Sequence, residues 1–181
     1  MSLPDRGCFI IKGKNGIGKT TLLNIIAKVT SYKGKVYSDS KDIGYLFQTP
    51  QLLDDLTIKE HFSLFSINVN TLKKLNLGEI TDQYPSKLSS GQRQRVGFLL
   101  TILSDNKLVL LDEPFANVDE ENIELMSEII KEEKHKKMIL IINHHSGNLE
   151  CDGAIKLINN TVRVSRHDCN NSDIQVKSPK R

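Results

Sequence analysis

Cysteine is scarce in this sequence, with Cys8, Cys151 and Cys169 the only three among 181 residues. An odd count without metal-type spacing argues against a disulfide framework and against a zinc site, and fits a reducing compartment. Long apolar runs are lacking as well. Runs such as Met138 to Ile142 reach only about a quarter of the roughly 20 residues that span a bilayer. No transmembrane helix is expected, so any service to a membrane must pass through a partner. The N-terminus has neither the basic region nor the long apolar stretch of a secretory leader. A charge excess of one sign is also missing. The formal net charge is +3, and the basic residues are dispersed except at Lys134, Lys136, Lys137 and the extreme C-terminus. Without a wide basic face, no nucleic-acid partner is expected. No internal repeat is visible. What remains, 38% hydrophobic and 26% charged residues, is the composition of one ordinary globular domain with a core of its own.

The apolar segments set the order of elements. Cys8-Phe9-Ile10-Ile11 is a short apolar run that ends in a glycine-rich turn, and Leu22, Leu23, Ile25, Ile26 and Val29 then recur at helical spacing. The spacing predicts strand, loop, helix. Leu108 to Leu111 and Met138 to Ile142 are further buried-strand candidates, separated by a helix carrying Ile123, Met126, Ile129 and Ile130. Wholly apolar strands alternating with helices predict a mostly parallel α/β sheet covered on both faces. Residues 50–103 differ: their predicted elements, Ile58 to Phe65, Asn70 to Leu75 and Gln92 to Leu103, are helical and form a subdomain inserted in the α/β core. A last strand runs through Thr161 to Val164. One domain is expected over 1–165, and the polar tail of 166–181 is expected to be mobile.

Gly13-Lys14-Asn15-Gly16-Ile17-Gly18-Lys19-Thr20 fits the P-loop pattern, and it follows a predicted strand and opens a predicted helix, the context that pattern requires. Glycines let the backbone wrap phosphates so that N–H groups and the helix N-terminus face negative charge. Lys19 is placed to reach the β- and γ-phosphates, and Thr20 to ligand Mg²⁺, with Thr21 next in the same turn.

Downstream, Leu108-Val109-Leu110-Leu111-Asp112-Glu113-Pro114 puts two carboxylates at the C-terminal end of an apolar strand, the edge where open α/β sheets bind ligands. Asp112 is the candidate Mg²⁺ carboxylate, acting through the ion's water shell. Glu113 is the candidate general base for the attacking water. Both would also be favourable simply as acids at a helix start.

Between these motifs stands Leu88-Ser89-Ser90-Gly91-Gln92-Arg93-Gln94-Arg95. A serine hydroxyl, a glycine and a helix N-terminus form a second anion site, although Ser89-Ser90-Gly91 would also serve as an ordinary helix cap. With the order P-loop, serine-glycine motif, acidic strand, the chain resembles the ATP-binding cassette (ABC) family. The resemblance is to the family signature L-S-G-G-Q, with Ser90 in place of its first glycine, and it extends over roughly Arg6 to Val164.

The resemblance implies an ATP hydrolase that works with Mg²⁺ as a head-to-tail dimer with a second ABC ATPase subunit, as a homodimer or a heterodimer. Each ATP would lie between the P-loop of one subunit and Ser89, Ser90, Gly91 and Gln92 of the other. It also implies roles for Gln48 at the Q-loop, touching Mg²⁺ or water, and for Asp119 at the D-loop, an aspartate equally suited to cap a helix. His144 matches the switch histidine at the γ-phosphate, with His145 as its neighbour and rival. A separate transmembrane permease is the implied partner, and the chain would sit peripherally on the cytoplasmic face of the cell membrane. Phe47 to Leu53, Leu56 to Glu60 and Glu113 to Asn117 resemble exporters of peptides or lipoproteins. The chain departs from the family at its start: the adenine-stacking aromatic lies farther upstream than the 12 residues that precede Gly13 allow, and the N-terminal antiparallel part of the fold is expected to be abbreviated. Within the superfamily the alternative is a mechanical ATPase of chromosome maintenance or DNA repair, or a translation factor. About 40 residues separate Gln48 from Leu88, which leaves no room for the long coiled-coil insertion of the mechanical relatives, and translation factors usually carry two cassettes.

Overall fold

The computed structural model describes residues 3–33, 42–143, 149–158 and 161–166. His144 and His145, and the tail beyond Arg166, lie outside the described residues. The apolar segments become strands β1 (Gly7–Lys12), β2 (Ile43–Leu46), β3 (Leu108–Asp112) and β4 (Met138–Ile142), all parallel to their neighbours. β5 (Gly153–Ile158) adds a parallel strand beside β1, and β6 (Thr161–Arg166) returns antiparallel to it. The result is a six-stranded sheet of order β2-β3-β4-β1-β5-β6. Among the described residues, antiparallel pairing is confined to β5 and β6, and β1 has parallel neighbours on both sides. The last strand reaches Arg166, beyond the Val164 end read from the sequence.

Alternation along the strands divides the core. Cys8, Val109, Leu111, Ile139 and Ile141 face one side, where they join Ile58 and Phe62 of α2 (Ile58–Leu64), Phe98 and Ile102 of α3 (Ser90–Leu103), and Met126 and Ile130 of α4 (Glu120–Glu133). The intervening Phe9, Ile11, Leu110, Leu140 and Ile142 face the other, with Leu23 and Ile26. Those two residues belong to α1 (Lys19–Ile26). Because side chains alternate with a period of two, one apolar strand supplies both cores. This is why β4, and β3 up to Asp112, are apolar throughout.

The inserted stretch is helical in short pieces: α2, then 3-10 segments at Val69–Leu75, Gly78–Ile80 and Pro85–Lys87, then α3. α2 starts where Thr57 forms a capping box, accepting from the Glu60 N–H at 3.4 Å while its own N–H donates to Glu60 Oε2 at 2.7 Å. The Cys8 and Cys151 sulfurs are 3.6 Å apart, both as free thiols, and this contact together with burial pushes the Cys8 thiol well above its ordinary range.

Candidate functional site

Parallel strands bring their C-terminal ends to one edge, where open α/β sheets bind ligands. Ile142 of β4 is in register with Asp112 on one side and with Ile11 on the other. The acidic end of β3 and the start of the glycine loop after β1 therefore stand level, two strand spacings or about 10 Å apart.

The loop from Gly13 turns into α1 through left-handed backbone at Gly16, φ 75°, and Gly18, φ 99°, conformations that glycine adopts without a Cβ penalty. Lys14, Asn15 and Gly16 are exposed, Ile17 is half-buried, and the Ile17 N–H donates to the Lys14 carbonyl at 3.3 Å. The buried Lys19 side chain lies back over the loop, its Nζ donating to the carbonyls of Gly13 and Lys14 at 3.1 and 3.3 Å. Thr20 and Thr21 follow, exposed in the first turn of α1. α1 has neither a side-chain cap nor an acidic residue in that turn, whereas α2, α3 and α4 are each capped by a side chain. A helix start with free N–H groups and no acid is a ready anion site.

Opposite this loop, Asp112 is buried at the end of β3. Tyr45 of β2 is close enough that burial and the Asp112 charge push its phenol up to about 12, so it stays a neutral donor, bonded to Asn24 Oδ1 of α1 at 2.9 Å. Glu113 takes left-handed backbone, φ 52°. Its N–H donates to the Ile142 carbonyl at 2.9 Å, its own carbonyl accepts from Gln94 Nε2 at 3.2 Å, and its carboxylate accepts from Gln48 Nε2 at 3.3 Å. Gln48 and Glu113, 65 residues apart in sequence, are thereby joined.

The serine-glycine motif opens α3. Ser89 caps the helix, accepting from the Gln92 N–H at 3.2 Å, and Gln92 Oε1 accepts from the Ser89 N–H at 2.9 Å. This reciprocal capping box leaves Ser90 exposed beside the helix N-terminus. Gly91 is required by proximity: a Cβ there would lie 2.5 Å from the Asn117 carbonyl oxygen. Asn117 is itself left-handed at φ 59°, in the turn that leads to Asp119. Asp119 caps α4, accepting from the Asn122 N–H at 3.0 Å, and hydrogen bonds from Asn122 hold its carboxyl below the usual range. Ser89 and Asp119 are thus helix caps, whatever else they do.

Thr20, Gln48 and Asp112 offer oxygen donors on this edge. Hard oxygen donors with a single carboxylate suit Mg²⁺, which keeps several waters and is completed by substrate phosphates. Among the described residues no group of three or more His, Cys, Asp and Glu could hold a metal. Sequence reasoning missed Gln94 and Asn24. For Gln94 a signal existed: a glutamine in helical register with buried Phe98 and Ile102 requires a partner.

Residues 1–116 match the model of the ABC transporter family. A candidate ABC transporter ATP-binding protein of Clostridium tetani is 35% identical over 160 residues, covering 75% of this chain and 37% of that one. The lipoprotein-releasing system ATP-binding protein LolD of Buchnera aphidicola is 30% identical over 151 residues, covering 67% of this chain and 66% of its own. The chain therefore spans less than two thirds of either relative's length. Among solved structures, the ATP-binding subunit of an ABC transporter superposes with a TM-score of 0.76 at 25% identity, covering 90% of this chain and 79% of that one.

Proposed function

Because the chain belongs to the ABC transporter family, we propose that it binds and hydrolyses ATP as the nucleotide-binding subunit of a transporter, working in a head-to-tail dimer. The observation that carries this reading is the joined set at one sheet edge: the uncapped start of α1 with Lys19, and Glu113 bonded to Gln48.

The N–H groups of the glycine loop and of the first turn of α1, with Lys19, would receive the phosphates, exchanging the Gly13 and Lys14 carbonyls for phosphate oxygens. Thr20, Asp112 and Gln48 are the residues that would hold Mg²⁺, which when bound neutralises developing phosphate charge. Glu113 accepts a proton from water as the water oxygen bonds to the γ-phosphorus and the bond to the β-phosphate oxygen breaks, giving ADP and phosphate. Gln48 orients that carboxylate. Ser89, Ser90, Gly91 and Gln92 would face the γ-phosphate of the partner subunit's nucleotide, with Asp119 near the same junction, and His144 would contact the γ-phosphate within its own subunit.

No helix among the described residues is long and apolar enough to cross a membrane; in this reading the membrane-spanning partner is a separate permease. Leu53, Leu64 and Phe65, 59%, 62% and 52% exposed on the inserted helical stretch, are the apolar side chains that would dock it. The chain would then sit on the cytoplasmic side of the membrane.

The test is Glu113→Gln. ATP binding should persist while turnover falls at least about a hundredfold, and an ATP-bound dimer should accumulate on size exclusion. Near-normal phosphate release by that variant would sink the assignment. Stimulation by DNA or ribosomes, with no membrane protein co-purifying, would shift the reading to a mechanical ATPase.

A further inference from the structure

We propose that Gln94 is a positioning residue for the hydrolytic carboxylate: from α3 it fixes the peptide of Glu113, tying the helix whose N-terminus serves the partner's nucleotide to the base that serves its own. The inference rests on the reading of Glu113 and of the serine-glycine motif given above.

Three observations carry it. Gln94 is only 2% exposed and shares a helix face with Phe98 and Ile102, so its amide must be satisfied inside the protein. Its Nε2 donates to the Glu113 carbonyl at 3.2 Å. Glu113 holds left-handed backbone at φ 52°, a strained conformation for a side chain of its kind, which persists only where the surroundings impose it. The restraint on Glu113 comes from two elements, its N–H bonded to Ile142 at the end of β4 and its carbonyl bonded to α3 through Gln94. The same carbonyl accepts from the Ala116 N–H at 3.1 Å, so removing Gln94 leaves the carbonyl partnered and cuts only the tie to α3.

One turn earlier on α3, Gly91 abuts the Asn117 carbonyl. The helix therefore touches the segment from Glu113 to Asn117 at both ends. A displacement of α3 as its N-terminus engages a phosphate reaches Glu113 through the Gln94 bond. This gives a route by which one site of the dimer senses the other.

Two variants test the bond. Gln94→Met keeps length and removes the donor. Gln94→Glu keeps shape, and its carboxyl donates to the Glu113 carbonyl only when protonated. Gln94→Met should lower kcat by about tenfold to a hundredfold while the KM for ATP stays within about twofold of wild type. Adding it to Glu113→Gln should produce no further loss, because the carboxylate it positions is already gone. Gln94→Glu should recover activity relative to wild type as pH falls, a profile that a packing defect would not give. Hydrogen exchange across residues 112–118 reads the tie without turnover and should accelerate in Gln94→Met. Wild-type kcat in Gln94→Met, or unchanged exchange there or in Gln94→Glu at high pH, overturns the inference. Absence of ATP-dependent phosphate release from the wild-type chain would instead overturn the proposed function, and exchange still decides the role of Gln94.

Discussion

The ammonium of Lys137 is buried at the C-terminal end of α3, donating to the carbonyls of Ile102 and Ser104 at 2.8 and 3.0 Å and pairing with Glu133 at 3.1 Å. Carbonyls at a helix end lack intrahelical donors and carry partial negative charge, so the lysine completes α3 while Glu133 balances it. Burial raises the Glu133 carboxyl, but hydrogen bonds from Lys136 and Lys137 and their charges outweigh it, and the net shift is downward from 4.5. A carboxyl depressed in the folded state contributes stability above its unfolded pKa and loses it as pH falls through the folded value. Glu133→Gln should therefore destabilise the chain by about 3 kcal/mol at pH 7, with the gap to wild type closing as pH falls below 4.5. Urea midpoints at pH 7 and in acid measure both effects, and equal midpoints at pH 7 would refute the pairing. This cluster was invisible in the sequence, where Lys134, Lys136 and Lys137 stood out only as a local concentration of basic residues. Glu113 was legible because its neighbours Asp112 and Pro114 are local, whereas its bonds to Gln94 and Gln48 are long-range and appear only in the folded chain.

Elements were legible where one period dominates and hidden where a partner decides. β4, and β3 up to Asp112, are apolar throughout and were evident, but β5 reads Gly-Ala-Ile-Lys-Leu-Ile, with small residues and a lysine breaking the pattern. It becomes a strand because β1 lies alongside, Phe9 opposite Gly153 and Ile11 opposite Ile155. The position of α3 depends in turn on Gly97, where a Cβ would come within 2.6 Å of Pro50 Cβ and 3.1 Å of Leu46 Cδ1. That contact seats the segment after Gln48 against the helix that carries Gln94. Gly97→Val should overpack this junction and cost about 1–3 kcal/mol, lowering Tm by roughly 2–10 °C. It should also slow turnover beyond the loss of folded protein, because Gln48 follows Leu46 by two positions. A thermal melt with a matched ATPase assay checks this, and an unshifted Tm would count against the close packing.

At the scale of the whole molecule, the sheet and its inserted helical stretch follow from hydrophobic pattern, whereas the proposed assembly rests on a division of labour between two helix N-termini. α1 begins uncapped behind the glycine loop, and α3 begins with its capping box complete and Ser90 exposed. In a two-fold dimer each contact is made twice, residue i of one copy on residue j of the other and the reverse. A head-to-tail arrangement then builds each site from the loop of one copy and the motif of its partner, which mixing experiments can read. Lys19→Ala should disable its own copy's site. Ser90→Glu should disable the partner's, because its carboxylate is favourable at a helix start yet opposes an incoming phosphate. Each variant alone should be inactive. Mixed in equal amounts, half of the dimers combine the two variants and hold one intact site of two, restoring about a quarter of wild-type phosphate release if pairing is unbiased. No recovery from two folded variants that exchange partners would mean that both helix ends serve the same copy, and the head-to-tail dimer would have to be abandoned.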